Sequence, residues 1–156
     1  MIRTTAISLL ALGLAACGSA SAQPDTPYWA SIDTTELNLR VGPSVEYRID
    51  WTYKRKGLPV KVLRTKDDGW RYIEDPDGAR GWVVSRMLTA ERHALVTGED
   101  PAPMRAAPAD NSSLKWNLEP GVVGKLGECE AGWCILTVGK RQGYVPETRL
   151  FGTGAP

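Results

Sequence analysis

The sequence predicts an all-β protein, two small barrels in tandem behind an N-terminal signal peptide. Three observations carry that reading. Short stretches of alternating apolar and polar residues stop at clusters of Gly, Pro, Asp or Asn about every eight to twelve residues, and no helical period is sustained. Landmarks between Leu39 and Leu88 return between Met104 and Leu150, at an offset that drifts only from 65 to 62 residues. Arg3 is followed by an uncharged, mainly apolar run over residues 6–16, the length of a signal-peptide core and too short to span a bilayer.

Residues 1–22 are accordingly expected to be a signal peptide, and two processing sites compete within them. Ala20-Ser21-Ala22 before Gln23 has the small residues at −1 and −3 that signal peptidase needs, which gives a soluble periplasmic or secreted protein. Leu14-Ala15-Ala16-Cys17 has the form of a bacterial lipobox, with Cys17 as the lipidated first residue. Gly18 after it is not an inner-membrane retention aspartate, so that route leads to the outer membrane. Lipidation at Cys17 is the only membrane attachment the sequence offers. A formal charge of +1, with basic and acidic residues interleaved, argues against nucleic acid as a partner.

The first repeat is expected over residues 28–96. Tyr28 to Ile32 reads as its opening strand. Leu37, Leu39 and Val41 then share one face while Asn38 and Arg40 share the other, and Gly42-Pro43-Ser44 ends that strand. Tyr47, Ile49, Trp51 and Tyr53 alternate with polar residues, which predicts a strand with one buried face. Lys54-Arg55-Lys56-Gly57 is a basic turn, read as solvated surface, with an anion contact as the sharper alternative. Leu58 to Arg64 is the next strand. Asp67-Asp68-Gly69 turns into Trp70 to Ile73, and Asp75-Pro76-Asp77-Gly78 into Arg80 to Val84. Ser85 to Leu88 makes one helical turn, and Arg92 to Val96 leaves as a last strand.

Residues 97–103 form a linker, and the second repeat runs over 104–152. Met104-Arg105 answers Leu39-Arg40, Gly132-Trp133 answers Gly69-Trp70, and Gly143-Tyr144-Val145 answers Gly81-Trp82-Val83. A unit of about sixty residues has a marginal core. Cys129 and Cys134 are separated by Glu-Ala-Gly-Trp, and an even pair in an oxidising compartment points to a structural disulfide across a hairpin. A redox or metal site fits less well, because the spacing is not Cys-x-x-Cys and the only histidine, His93, is remote in sequence.

With these residues in hand, the chain resembles tandem bacterial-type SH3 domains. Leu37-Asn38-Leu39-Arg40-Val41-Gly42-Pro43-Ser44 is similar to that family's strand-and-turn signature, and Gly69-Trp70 and Gly81-Trp82-Val83 are similar to its later landmarks. The resemblance is closest to a group of exported SH3-like proteins of Gram-negative bacteria, in which a Cys-x-x-x-x-Cys hairpin also recurs. The second copy departs at Ala107, where the first has Gly42, and at Tyr144, where the first has Trp82. The resemblance implies small SH3-like barrels used as binding or targeting modules, often beside cell-wall hydrolases and in contact with peptidoglycan peptides.

Catalysis is not expected: no nucleophile, base and acid constellation is legible, the aspartates lie in turns, and no cofactor or metal is implied. The expected role is a non-catalytic envelope module that contacts peptidoglycan or an envelope protein. Trp29, Trp51, Tyr53, Tyr72 and Trp82 are too many for so small a core, so those left outside make a stacking surface. Trp51, Tyr53, Tyr72 and Trp82 are the candidate contacts, with Arg40 as a further one whose family position implies a bond to the following turn. The competing class is a scaffold or a regulator of a separate wall hydrolase, with no small ligand of its own.

Overall fold

Why the chain folds as two like halves is seen by following its strands in order. The computed structural model describes residues 24–156, so the expected signal peptide and Cys17 lie outside the described residues. The first seven strands are β1 (Tyr28–Ile32), β2 (Leu37–Arg40), β3 (Ile49–Tyr53), β4 (Pro59–Lys66), β5 (Trp70–Glu74), β6 (Arg80–Val84) and β7 (Leu88–Thr89). The next seven are β8 (His93–Val96), β9 (Ala102–Arg105), β10 (Leu114–Leu118), β11 (Val123–Glu130), β12 (Trp133–Val138), β13 (Arg141–Pro146) and β14 (Leu150–Phe151). They form two antiparallel sheets ordered β3-β2-β6-β5-β4-β1-β7 and β10-β9-β13-β12-β11-β8-β14. Strand for strand the second order repeats the first.

Each sheet curls around its own core. Ile32, Leu37, Leu39, Val60, Val62, Ile73 and Val83 come from five different strands, yet all are completely or almost completely buried in one cluster. A flat sheet cannot bring them together, so the strands bend into an SH3-like barrel. Ala94, Val96, Met104, Leu136 and Val145 do the same in the second module. Two glycines at matching positions let the strands close. A Cβ on Gly81 would lie 2.9 Å from the Arg40 carbonyl oxygen, and one on Gly143 would lie 2.8 Å from that of Arg105.

Two strand expectations need correction. Arg92 to Val96 does not leave the first repeat: β8 pairs with β11 and β14 of the second sheet, where it stands as β1 stands in the first. The strand following the linker is therefore the second of its module, and the linker reading of 97–103 ends where β9 begins at Ala102. The second correction concerns Tyr47 to Tyr53. Only Tyr53 is buried; Tyr47, Ile49 and Trp51 are 49%, 42% and 62% exposed. The cause is position, since β3 is an edge strand whose register with β2 slips between Leu39 and Arg40, which carries its first residues past the core.

The modules touch through β1 and the C-terminal strand. The Trp29 ring meets Phe151 edge-on at 5.0 Å, and its indole N–H donates to the Gly154 carbonyl at 3.1 Å. Arg55 of the basic turn donates to the Gly121 carbonyl. That turn is a module contact as well as solvated surface.

Candidate functional site

The five candidate contact residues fall into four different settings. Arg40 holds its own loop: its guanidinium Nη1 donates to the carbonyls of Val45 at 2.9 Å and Tyr47 at 2.7 Å. Arg105 does the same in the second module, donating to the Ser112 carbonyl at 2.8 Å. Tyr53 faces inward. Its hydroxyl donates to Asp75 Oδ2 at 2.9 Å, and Asp75 Oδ1 accepts the backbone N–H groups of Asp77 and Ala79. Burial, then the hydrogen bond to Asp75 and the charge of that carboxylate, push the Tyr53 phenol above its ordinary range, so it stays neutral.

Trp51 is the opposite case. It is the most exposed of the chain's tryptophans named above, on the outer edge of β3, and it borders a cleft of about 700 Å³ between the modules. Asp50, Arg55 and Asp77 line the cleft from the first module; Thr97 and Pro120 line it from the second. A flat ring beside charged and hydrogen-bonding groups suits a ligand with both an apolar face and polar edges, such as a sugar or a short peptide.

Tyr72 and Trp82 are half-buried neighbours on β5 and β6, with ring centroids 5.2 Å apart. The Arg64 guanidinium lies 4.2 Å from the Tyr72 ring and 5.5 Å from that of Trp82, a cation–π arrangement on the outer face of the sheet. Lys66, two residues along β4, extends the same face.

Cys129 and Cys134 are bonded to each other, S–S 2.00 Å, and face each other directly across β11 and β12. Among the described residues, the only His, Cys, Asp or Glu grouping close enough to hold a metal is this pair with Glu147, and its two sulfurs are already bonded. His93 is a half-buried strand residue whose ring Nδ1 lies 3.2 Å from the Glu91 carbonyl oxygen.

The model of the bacterial SH3 domain matches the chain twice, over residues 33–89 and 98–152. The chain belongs to the bacterial SH3 family. It is also 30% identical over 136 residues to the Bacillus subtilis (strain 168) protein named "Putative N-acetylmuramoyl-L-alanine amidase YrvJ", an alignment that covers 81% of this chain and 26% of YrvJ. The chain thus spans about a quarter of that relative's length. Among solved structures, NlpC2 from Trichomonas vaginalis aligns at 12% identity and TM-score 0.37, over 84% of this chain and 50% of NlpC2. An NlpC/P60 family protein from Bacillus cereus ATCC 10987 aligns at 12% identity and TM-score 0.36, over 80% of this chain and 56% of that one.

Three surface features of these SH3 modules escape the sequence reading. Arg64 was legible only as a strand residue, since nothing in the spacing says that its head lies on two rings. Trp116 pairs with Met104 as Trp51 pairs with Leu39, and the offset of 65 residues that links Leu39 to Met104 marks it. Lys115 and Arg141 lie 5.1 and 5.5 Å from its ring. Glu128 and Glu130 line a cavity of about 360 Å³ with Trp133, Ile135 and Tyr144. An offset of 64 residues from Arg64 and Lys66 reaches them, but only the register shows that they share a face with the rings.

Proposed function

We propose that this bacterial SH3 tandem is a non-catalytic attachment module of the cell envelope that binds peptidoglycan in the cleft between its modules, with Trp51 as the stacking contact. The observation that carries this is Trp51, 62% exposed beside a cleft of about 700 Å³. Membership of the bacterial SH3 family and the relative named for amidase activity on a muramoyl substrate support a wall-associated role outside the cytoplasm. Export through residues 1–22, with Cys17 as the alternative anchor, belongs to the same reading.

A second reading, a scaffold or a regulator of a separate wall hydrolase, has one observation in its favour. Trp29 sits against Phe151 between the modules, so one large aromatic serves the pairing of modules and not a ligand. Co-sedimentation with purified peptidoglycan sacculi across a salt series separates the two. Retention that survives moderate salt and drops about tenfold in Trp51→Ala, the effect of losing one aromatic anchor, supports wall binding. A wild-type protein that stays in the supernatant overturns it in favour of the scaffold.

A further inference from the structure

The ends of the β4–β5 and β11–β12 hairpins can be overlaid residue by residue. Lys66 pairs with Trp70 at the end of one, and Glu130 pairs with Trp133 at the end of the other. Two residues back along each strand, and so on the same face, stand Arg64 and Glu128. On the neighbouring strands Tyr72 and Trp82 are answered by Ile135 and Tyr144. The two modules therefore present one sheet face with large side chains at the same places, an isoleucine standing for one of the rings in the second, and with opposite charge.

We propose that copies of this chain associate head to tail, the basic aromatic face of the first module of one copy docking on the acidic aromatic face of the second module of the next. Charge complementarity selects this occupant. Arg64 has no carboxylate partner among the described residues, and neither has Glu128 or Glu130. Lys66 is already paired with Asp68 on its own turn, so Arg64 is the principal cation of its face. Its guanidinium lies close against the Tyr72 ring, a placement that leaves its donor-bearing edge for a carboxylate beyond. The facing cavity, about 360 Å³ and walled by Trp133 and Tyr144, offers apolar surface for the stem and two carboxylates for the head. A formal charge of +1 leaves little overall repulsion between copies. Because the two faces differ, each docked copy leaves one of each kind free, and the contact propagates along a row of molecules. The cleft beside Trp51 takes no part, so this association stands or falls separately from wall binding.

The test is sedimentation velocity of the purified protein over a wide concentration range. The sedimentation coefficient is expected to rise with concentration at low salt and to flatten at about 0.5 M salt, where the Debye length falls well below 10 Å. R64E/K66E and E128K/E130K should each lose association about tenfold or more, and an equimolar mixture of the two should recover it, because each then carries the face the other needs. Recovery in the mixture also shows that both variants are folded; if either fails to fold, R64Q/K66Q and E128Q/E130Q, which should each weaken association, replace them. A wild-type protein that sediments as a monomer throughout, or charge-reversed variants that associate as the wild type does, overturns the proposal. So does a monomer that binds oligolysine through Glu128 and Glu130, which would assign the acidic face to a cationic partner instead. Co-sedimentation of R64E/K66E with sacculi should match the wild type, whatever the outcome for Trp51→Ala.

Discussion

The first module closes its β3 edge with a buried hydrogen bond, Tyr53 to Asp75, whereas the second has Leu118 in the core at the place of Tyr53 and Val138 packed against that core at the place of Asp75. At the β4–β5 and β11–β12 hairpins the difference is reversed. The second module places its disulfide where the first has the cross-strand pair Thr65 and Arg71. One backbone plan thus rests on a polar bond in one copy and on apolar contact plus a covalent link in the other. Exchanging both partners of a buried hydrogen bond for apolar groups is close to neutral, whereas losing one partner is not. The comparison teaches that the repeated fold tolerates either solution, provided each is complete.

Three changes test how far the two solutions are equivalent. The largest effect is expected where both modules depend on the same feature. Gly81→Ala and Gly143→Ala each force a Cβ against a backbone carbonyl that cannot move aside, and each should cost its module about 3 kcal/mol in denaturant unfolding. Gly81→Ala should cost more, because its side-chain neighbour is the branched Leu39 while that of Gly143 is the flexible Met104. Equal costs would mean that the carbonyl contact alone decides.

Next in size is Cys129→Ser. A bridge closing so short a loop contributes about 2 kcal/mol in the chain-entropy view. Hydrogen exchange should show faster opening of β11 and β12 under oxidising conditions and no change in β4 and β5. Uniform loss of protection would show that the modules unfold as one unit.

The smallest effect is expected from Tyr53→Phe, about 1 kcal/mol, because Asp75 keeps its two backbone donors. Y53L combined with D75V, which copies the two core residues of the second module, also takes the acceptor from the Asp77 and Ala79 N–H groups and should cost more than Tyr53→Phe alone. The Tyr53 phenol ionises above its ordinary value of about 10 in the folded chain, and the unfolded chain therefore ionises first. Its contribution is whole below pH ~10 and falls as pH rises beyond that, so the first module should weaken in alkali through this residue. Tyr53→Phe should remove that slope, and a slope unchanged in the variant would assign it to other groups.

Much of this molecule follows from local pattern. Alternation, turn residues and the repeat offset determine an all-β chain of two SH3 modules, because strand period and turn chemistry are properties of neighbouring residues. The same holds for Cys129 and Cys134, which a two-residue turn at Ala131 and Gly132, both at positive φ, sets directly opposite each other.

What the sequence by itself did not decide is which side of each ring meets water. Trp51 and Tyr53 stand two residues apart on one strand, yet one is 62% and the other 5% exposed, because β3 is an edge strand with no further strand beside it to cover Trp51, which pairs with Leu39 at the rim of the core. Likewise β8 reads as the last strand of one repeat, and only its pairing with β11 makes it the first strand of the next. Exposure, strand partnership and the opposed charges of the two sheet faces depend on residues distant in sequence, and only the tertiary structure brings them side by side.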